Sequence, residues 1–344
     1  MNYSSTNLDV LRSLAVSLVV ISHLLLDRSI VNPGGYDTHT LGTLGVLIFF
    51  VHTCLVLMHS LDRHAGAEGR SGMAVSFLLT RAWRIYPLSI VVVLVLSVIE
   101  STHSPVKPSL SMLLSNILLL QNITGSVSIT PVLWSLPFEV QMYFLLPVLY
   151  RSSISWGVYS SFFIGGLWCA SIALIYVFWL FELNFSLIKF LPCFLPGILA
   201  FCQRELPRMH SPIVLFAYVG AMSIVYPALV GREINATVLS WIICLFLGLL
   251  IPRCQEIQST TLAACGRVIA RYSYGIYLIH DPVRYLSFHY IKGISTFTAW
   301  SIFICALSGL SYLAYHLVEK PALEYGRALI SRLNLGRLHA ERSL

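Results

Sequence analysis

Charge is what this sequence has least of. Only 11% of its 344 residues are Asp, Glu, Lys or Arg, with 15 acidic against 22 basic. A soluble domain draws about a quarter of its residues from that set, so composition excludes a water-soluble globular fold. Paired cysteine is also missing. The eight cysteines fall singly, and Cys54, Cys169, Cys193, Cys244 and Cys305 lie inside apolar runs. That pattern excludes a disulfide framework and a metal knuckle and assigns these thiols to apolar packing. No basic residue precedes the first apolar run and no small-x-small site follows it, so the run is expected to stay in place as a first helix rather than leave as a signal. Lipidation motifs are absent from both ends.

What is abundant is apolar sequence, 57% of the chain. Runs near 8–26, 41–60, 74–99, 131–150, 156–181, 186–203, 212–230, 236–252, 273–290 and 296–318 are each close to the roughly 20 residues that cross the hydrocarbon layer as a helix. The expected fold is therefore all-α: a polytopic membrane protein of about ten transmembrane helices. An eleventh run, SLSMLLSNILLLQ at 109–121, is short for a span and reads as re-entrant or interfacial. With that run not crossing and the amino terminus inside, sixteen of the 22 basic residues fall at the inner side. Arg28, Lys107, Lys189, Arg232, Arg284 and Lys292 are the remainder, as the positive-inside rule expects, and both termini are then cytoplasmic. The formal charge of +7 follows from inner loops and a basic tail, which excludes nucleic acid as a partner and leaves membrane lipids as one. Residues 1–320 read as one membrane domain. Residues 321–344 read as a basic amphipathic tail in which Arg327, Arg332 and Arg337 alternate with leucines, suited to the inner leaflet.

The polar residues inside these spans carry the chemistry. LDVLRSLAVSLVVISHLLL places Arg12 and His23 eleven residues apart. Steps of about 100° and 1.5 Å bring them to nearly one face, roughly 16 Å apart along the axis. Glu139 and Asp281 are the carboxylates well inside spans, and an intramembrane charge usually faces a cavity or a partner. Glu139 is expected about two turns below the outer face, at a depth His23 also reaches, so the two can form a base and its orienting carboxylate. A buried hydrogen-bonded pair without chemistry is the alternative. RAWR at 81–84 puts Arg81 and Arg84 on one helix face at the inner end of the third span, where Arg12 also lies. Three guanidiniums at one depth suit a phosphate clamp or plain positive-inside anchoring. In SYGIYLIHDPV, Pro282 can open the helix, His280 is expected to face inward and Asp281 to bond locally or meet another helix. His52 and His59 share a face of the second span, but too few ligands converge for a metal site, and none is expected.

Six segments, in order, resemble the bacterial acyltransferase-3 family of integral membrane O-acyltransferases: LDVLRSLAVSLVVISH, LGTLGVLIFFVHTCLVL, RAWRIYPL, WSLPFEVQMYFLLP, YSYGIYLIHDPV and LVEKPALE. Two features depart from the family pattern. Leu47 and Thr53-Cys54 stand where members often have an acidic residue and a Ser-Gly pair, and the chain stops at residue 344 without the SGNH-type domain that some members append. A separate periplasmic partner protein would supply a second step if one is needed. The resemblance implies a bacterial inner-membrane enzyme that takes an acyl group, usually acetyl, from cytoplasmic acyl-CoA to a hydroxyl of a carbohydrate or glycolipid acceptor, with acetyl-CoA as substrate and no permanently bound cofactor. In that picture His23 and Glu139 are catalytic, and Arg12, Arg81 and Arg84 hold the donor's phosphates. Trp134, Ser135, Tyr143, Tyr277 and His280 line the acceptor pocket or stabilise negative charge. A transporter or flippase for a saccharide or lipid-linked intermediate is the alternative, since buried charges beside broken helices also mark transport pathways.

Overall fold

The computed structural model describes residues 5–27, 35–103, 107–182 and 186–342. Arg28, counted above among the outer basic residues, lies outside them. The chain is all-α, and eight helical stretches among the described residues are long and apolar enough to cross a membrane. In chain order the helices are α1 (Thr6–Asp27), α2 (Thr38–His103), α3 (Leu110–Ile117), α4 (Gln121–Thr124), α5 (Leu136–Ser155) and α6 (Ser160–Leu180). They continue with α7 (Ser186–Cys202), α8 (Pro212–Val230), α9 (Ala236–Leu250), α10 (Thr260–Tyr285), α11 (Thr296–Ala314) and α12 (Lys320–Arg342).

Each of the ten expected spans coincides with helix. Two fall short of the eight for physical reasons: α7 is only 17 residues long, and α10 is long enough but interrupts its apolar residues with Arg267, Arg271, Asp281 and Arg284. The expected break between the second and third spans is absent as an irregular loop, because α2 is helical over 66 residues. Its linker lacks proline.

The run at 109–121 forms the eight-residue α3, about 12 Å long and far short of a bilayer core. Ser109 caps it by accepting from the Met112 N–H. It ends at Leu119, which is fully buried and holds a left-handed φ of 55°. Asn116 then fixes the return of the chain, donating to the carbonyls of Met112 and Val127 and accepting from the Ile129 N–H.

The helices divide into two compact units, Met1–His59 with Leu149–Tyr277, and Ser60–Val148 with Leu278–Leu344. In the first, α1 is gripped along its length. A Cβ on Gly45 of α2 would stand 2.5 Å from the Ala15 carbonyl and 2.8 Å from Val19 Cγ2, and one on Gly266 of α10 would stand 2.7 Å from Val10 Cγ2. Only glycine lets the backbones approach so closely. Hydrogen bonds repeat the pattern: Ser13 Oγ donates to the Gly266 carbonyl at 2.9 Å and Ser22 Oγ to the Thr38 carbonyl at 2.9 Å. Deeper in this unit Phe50 stacks on Phe194 with centroids 4.1 Å apart. In the second unit, α12 packs through Gly326 and Tyr325 on Trp83 of α2. The amphipathic tail is thus helical and begins in packed contact; the Arg337 side chain lies outside the described residues.

Candidate active site

Two groups of polar side chains emerge, one in each unit. In the first unit α1 carries Arg12 and His23, both partly exposed. Arg12 donates from Nε to Ser273 Oγ at 2.6 Å, and Ser273 Oγ in turn donates to the Ala270 carbonyl. The first residue of the SYGIYLIHDPV segment therefore orients the guanidinium. Tyr277, one turn further on, is buried with its ring edge-on to Phe49 at 6.0 Å. His52 is buried nearby, and the Arg12 charge acts on it.

The second unit holds the rest of the expected residues. Leu136–Ser155 begins directly after a 3-10 turn at Pro131–Ser135. This turn presents Trp134 edge-on to Phe138 at 6.1 Å and buries Ser135. Glu139, in the first turn of α5, accepts from the Tyr143 hydroxyl at 2.7 Å. Tyr143 is buried and meets Phe77 edge-on, and the Arg81 guanidinium lies 5.8 Å from the Phe77 centroid. Arg81 feels the charge of Glu139.

Arg81 and Glu139 thus share one electrostatic environment, and a carboxylate in the neighbourhood offsets part of the several-kcal/mol cost of burying a guanidinium.

Arg84 brings a residue that sequence reasoning missed. Its Nη1 lies 2.7 Å from Glu319 Oε2, and Glu319 is 1% exposed. Glu319 belongs to LVEKPALE, one residue beyond the span read from hydropathy at 296–318, so it was not counted among the intramembrane carboxylates. The signal available was an acidic residue directly at a span's end. It sits at the close of a π-helical turn, Tyr315–Glu319, a distortion that recurs at functional sites. A guanidinium has five N–H groups, so pairing with Glu319 does not exclude a phosphate.

His280 is buried. Asp281 bonds locally, as expected: Oδ1 accepts from Arg284 Nε at 3.0 Å and Nη2 at 2.8 Å. Pro282 does not open the helix. The α-helix runs on through Pro282 to Tyr285 and continues into a π-helical turn at Leu286–Tyr290. The residues after α3 add amides to this unit. Gln141 Nε2 donates to Asn122 Oδ1 at 2.9 Å, and Gln121 donates to the Leu133 carbonyl at 3.5 Å. Among the described residues no group of three or more His, Cys, Asp or Glu could hold a metal ion.

The expected residues thus fall into an Arg12–His23–Tyr277 set on the first unit and an Arg81–Arg84–Trp134–Ser135–Glu139–Tyr143–His280 set on the second. In comparison with known proteins, a family model described as an acyltransferase domain matches residues 5–316. No curated protein and no solved structure matches the chain.

Proposed function

The chain belongs to that acyltransferase-3 family and is a multi-pass membrane acyltransferase, and from this premise we propose that it moves an acyl group, acetyl in the first instance, from acyl-CoA to a hydroxyl of a carbohydrate or glycolipid. The observation that carries the reading is α1 itself. One guanidinium and one imidazole stand about 16 Å apart on one face of a helix that glycine contacts hold in register. That spacing suits a long donor with an anionic nucleotide at one end and a thioester at the other.

His23 acts as general base. It takes the proton of the acceptor hydroxyl as the oxygen attacks the thioester carbonyl. The C–S bond breaks as the new C–O bond forms, and the imidazolium returns the proton to the departing CoA thiolate. Arg12 and Arg84 bind donor phosphates, each oriented by its own partner, Ser273 and Glu319. Glu139, fixed by the Tyr143 hydroxyl, is the carboxylate assigned to orient the base. Trp134, Ser135, Tyr277 and His280 serve the acceptor or the developing oxyanion. The enzyme works in the inner membrane with both termini cytoplasmic, where acyl-CoA is made.

The test is direct. Full-length protein in lipid nanodiscs is given radiolabelled acetyl-CoA, and surface glycans from cells with and without the gene are weighed by mass spectrometry. Thiol release with a gain of one acetyl mass on a defined sugar supports the proposal; glycans of identical mass and no thiol release refute it. The assignment of Glu139 has its own check. Where the two side chains act as one unit, His23→Gln and Glu139→Gln combined cost no more than the worse single variant.

A further inference from the structure

Beyond the residues already assigned, the inner end of α1 is held by a clasp far away in sequence. Glu256 Oε2 accepts from the Asn7 backbone N–H at 3.0 Å, and Oε1 accepts from Ser5 Oγ at 2.9 Å. The first of these fills an N–H that the start of a helix leaves without an intrahelical partner, and the negative charge suits that end of the helix dipole. Asn7 completes the grip. Its Nδ2 donates to the Gln255 carbonyl at 2.8 Å and its Oδ1 accepts from the Ile257 N–H at 3.0 Å, so its amide pairs with the 255–257 backbone as another strand would. Ser5 and Asn7 are buried.

The clasp is itself braced. Arg208 Nη1 donates to Glu256 Oε1 at 2.9 Å, and the backbones pair at His210 N–Arg253 O (3.0 Å) and Gln255 N–His210 O (2.8 Å). Arg208 is 38% exposed and Glu256 27%, so the ion pair contributes little by itself; the bonds to the buried Ser5 and Asn7 matter more. Arg12 lies five residues above Asn7. The outer end of α1 is fastened independently, by Ser22 to the Thr38 carbonyl.

We propose that Glu256 is a positioning residue: by fixing the first turn of α1 it sets the height and direction of Arg12, and so the affinity for the anionic end of the donor. The inference rests on the acyltransfer reading. Because His23 is held from the other end, loosening the clasp acts on donor binding and leaves the chemical step alone.

The experiment uses full-length protein in nanodiscs as wild type, Glu256→Ala and Glu256→Gln, with two readouts: hydrogen exchange of the Leu8–Arg12 amides, and steady-state transfer from acetyl-CoA. In Glu256→Ala those amides exchange faster and KM for acetyl-CoA rises about tenfold, the scale of one weakened hydrogen bond to a charged group, while kcat holds within about twofold. Glu256→Gln keeps a carbonyl acceptor for Asn7 and shows a smaller rise, which keeps the proposal testable if the alanine variant does not fold. Unchanged exchange overturns the clasp. Faster exchange with unchanged KM makes Glu256 purely structural and overturns its role toward the donor. A wild-type protein that transfers no acetyl refutes the acyltransfer reading instead, a failure the exchange data keep separate because they need no activity.

Discussion

The two compact units bury different things. The unit of Met1–His59 and Leu149–Tyr277 is held by glycine contacts, stacked phenylalanines and serine hydroxyls bonded to backbone carbonyls, with Arg12 and His23 set into it as a narrow polar stripe. The unit of Ser60–Val148 and Leu278–Leu344 carries charge inside: Arg84 with Glu319, Asp281 with Arg284, and Arg81 beside Glu139 and Tyr143. It also contains both π-helical turns among the described residues. Close packing fixes a helix to within a fraction of an ångström but offers no chemistry. Buried charge offers chemistry but must be satisfied pair by pair. The first unit answers to changes of volume, the second to changes of charge.

Substitutions can break or sharpen that contrast. The largest effect is expected at Arg84→Ala, which leaves Glu319 buried without its cation and costs about 3–5 kcal/mol, whereas Arg84→Met with Glu319→Leu costs less than Arg84→Ala alone; thermal unfolding in detergent reads both. A double variant no more stable than the single one would mean the pair is not a closed unit. Next comes Gly45→Ala, where one methyl meets the Ala15 carbonyl and Val19 and costs about 1–3 kcal/mol. An unchanged melting temperature would show that α1 is not gripped. Tyr143→Phe removes the hydroxyl from Glu139 with little change of shape. It is expected to slow turnover about tenfold, equivalent to roughly 1.4 kcal/mol, and to leave KM for acetyl-CoA nearly unchanged. Smallest is Asp281→Asn, which weakens a largely buried pair within one helix and costs about 1 kcal/mol, read by the same thermal assay.

Much of this was legible from residue order, and the limit is physical. Helix positions follow from apolar length, because a span must satisfy its backbone internally. The Arg12–His23 stripe follows from helical period alone. Asp281 bonding to Arg284 is a local event, three residues along one helix, and periodicity suffices for it. Contacts across the chain were not legible. Arg84 and Glu319 stand 235 residues apart, and Ser5 and Glu256 stand 251 apart, and no local pattern names either partner. The left-handed Leu119 that closes α3 was hidden for another reason, since leucine is among the last residues expected there.

The central claim is that His23 performs proton transfer in acyl transfer from CoA. Its most direct measurement compares wild type with His23→Ala in nanodiscs, scoring acetyl transfer and acetyl-CoA binding on the same folded samples. Turnover is predicted to fall by about 10²–10⁴, the usual worth of a general base, with donor affinity unchanged. Wild-type turnover by folded His23→Ala would contradict it.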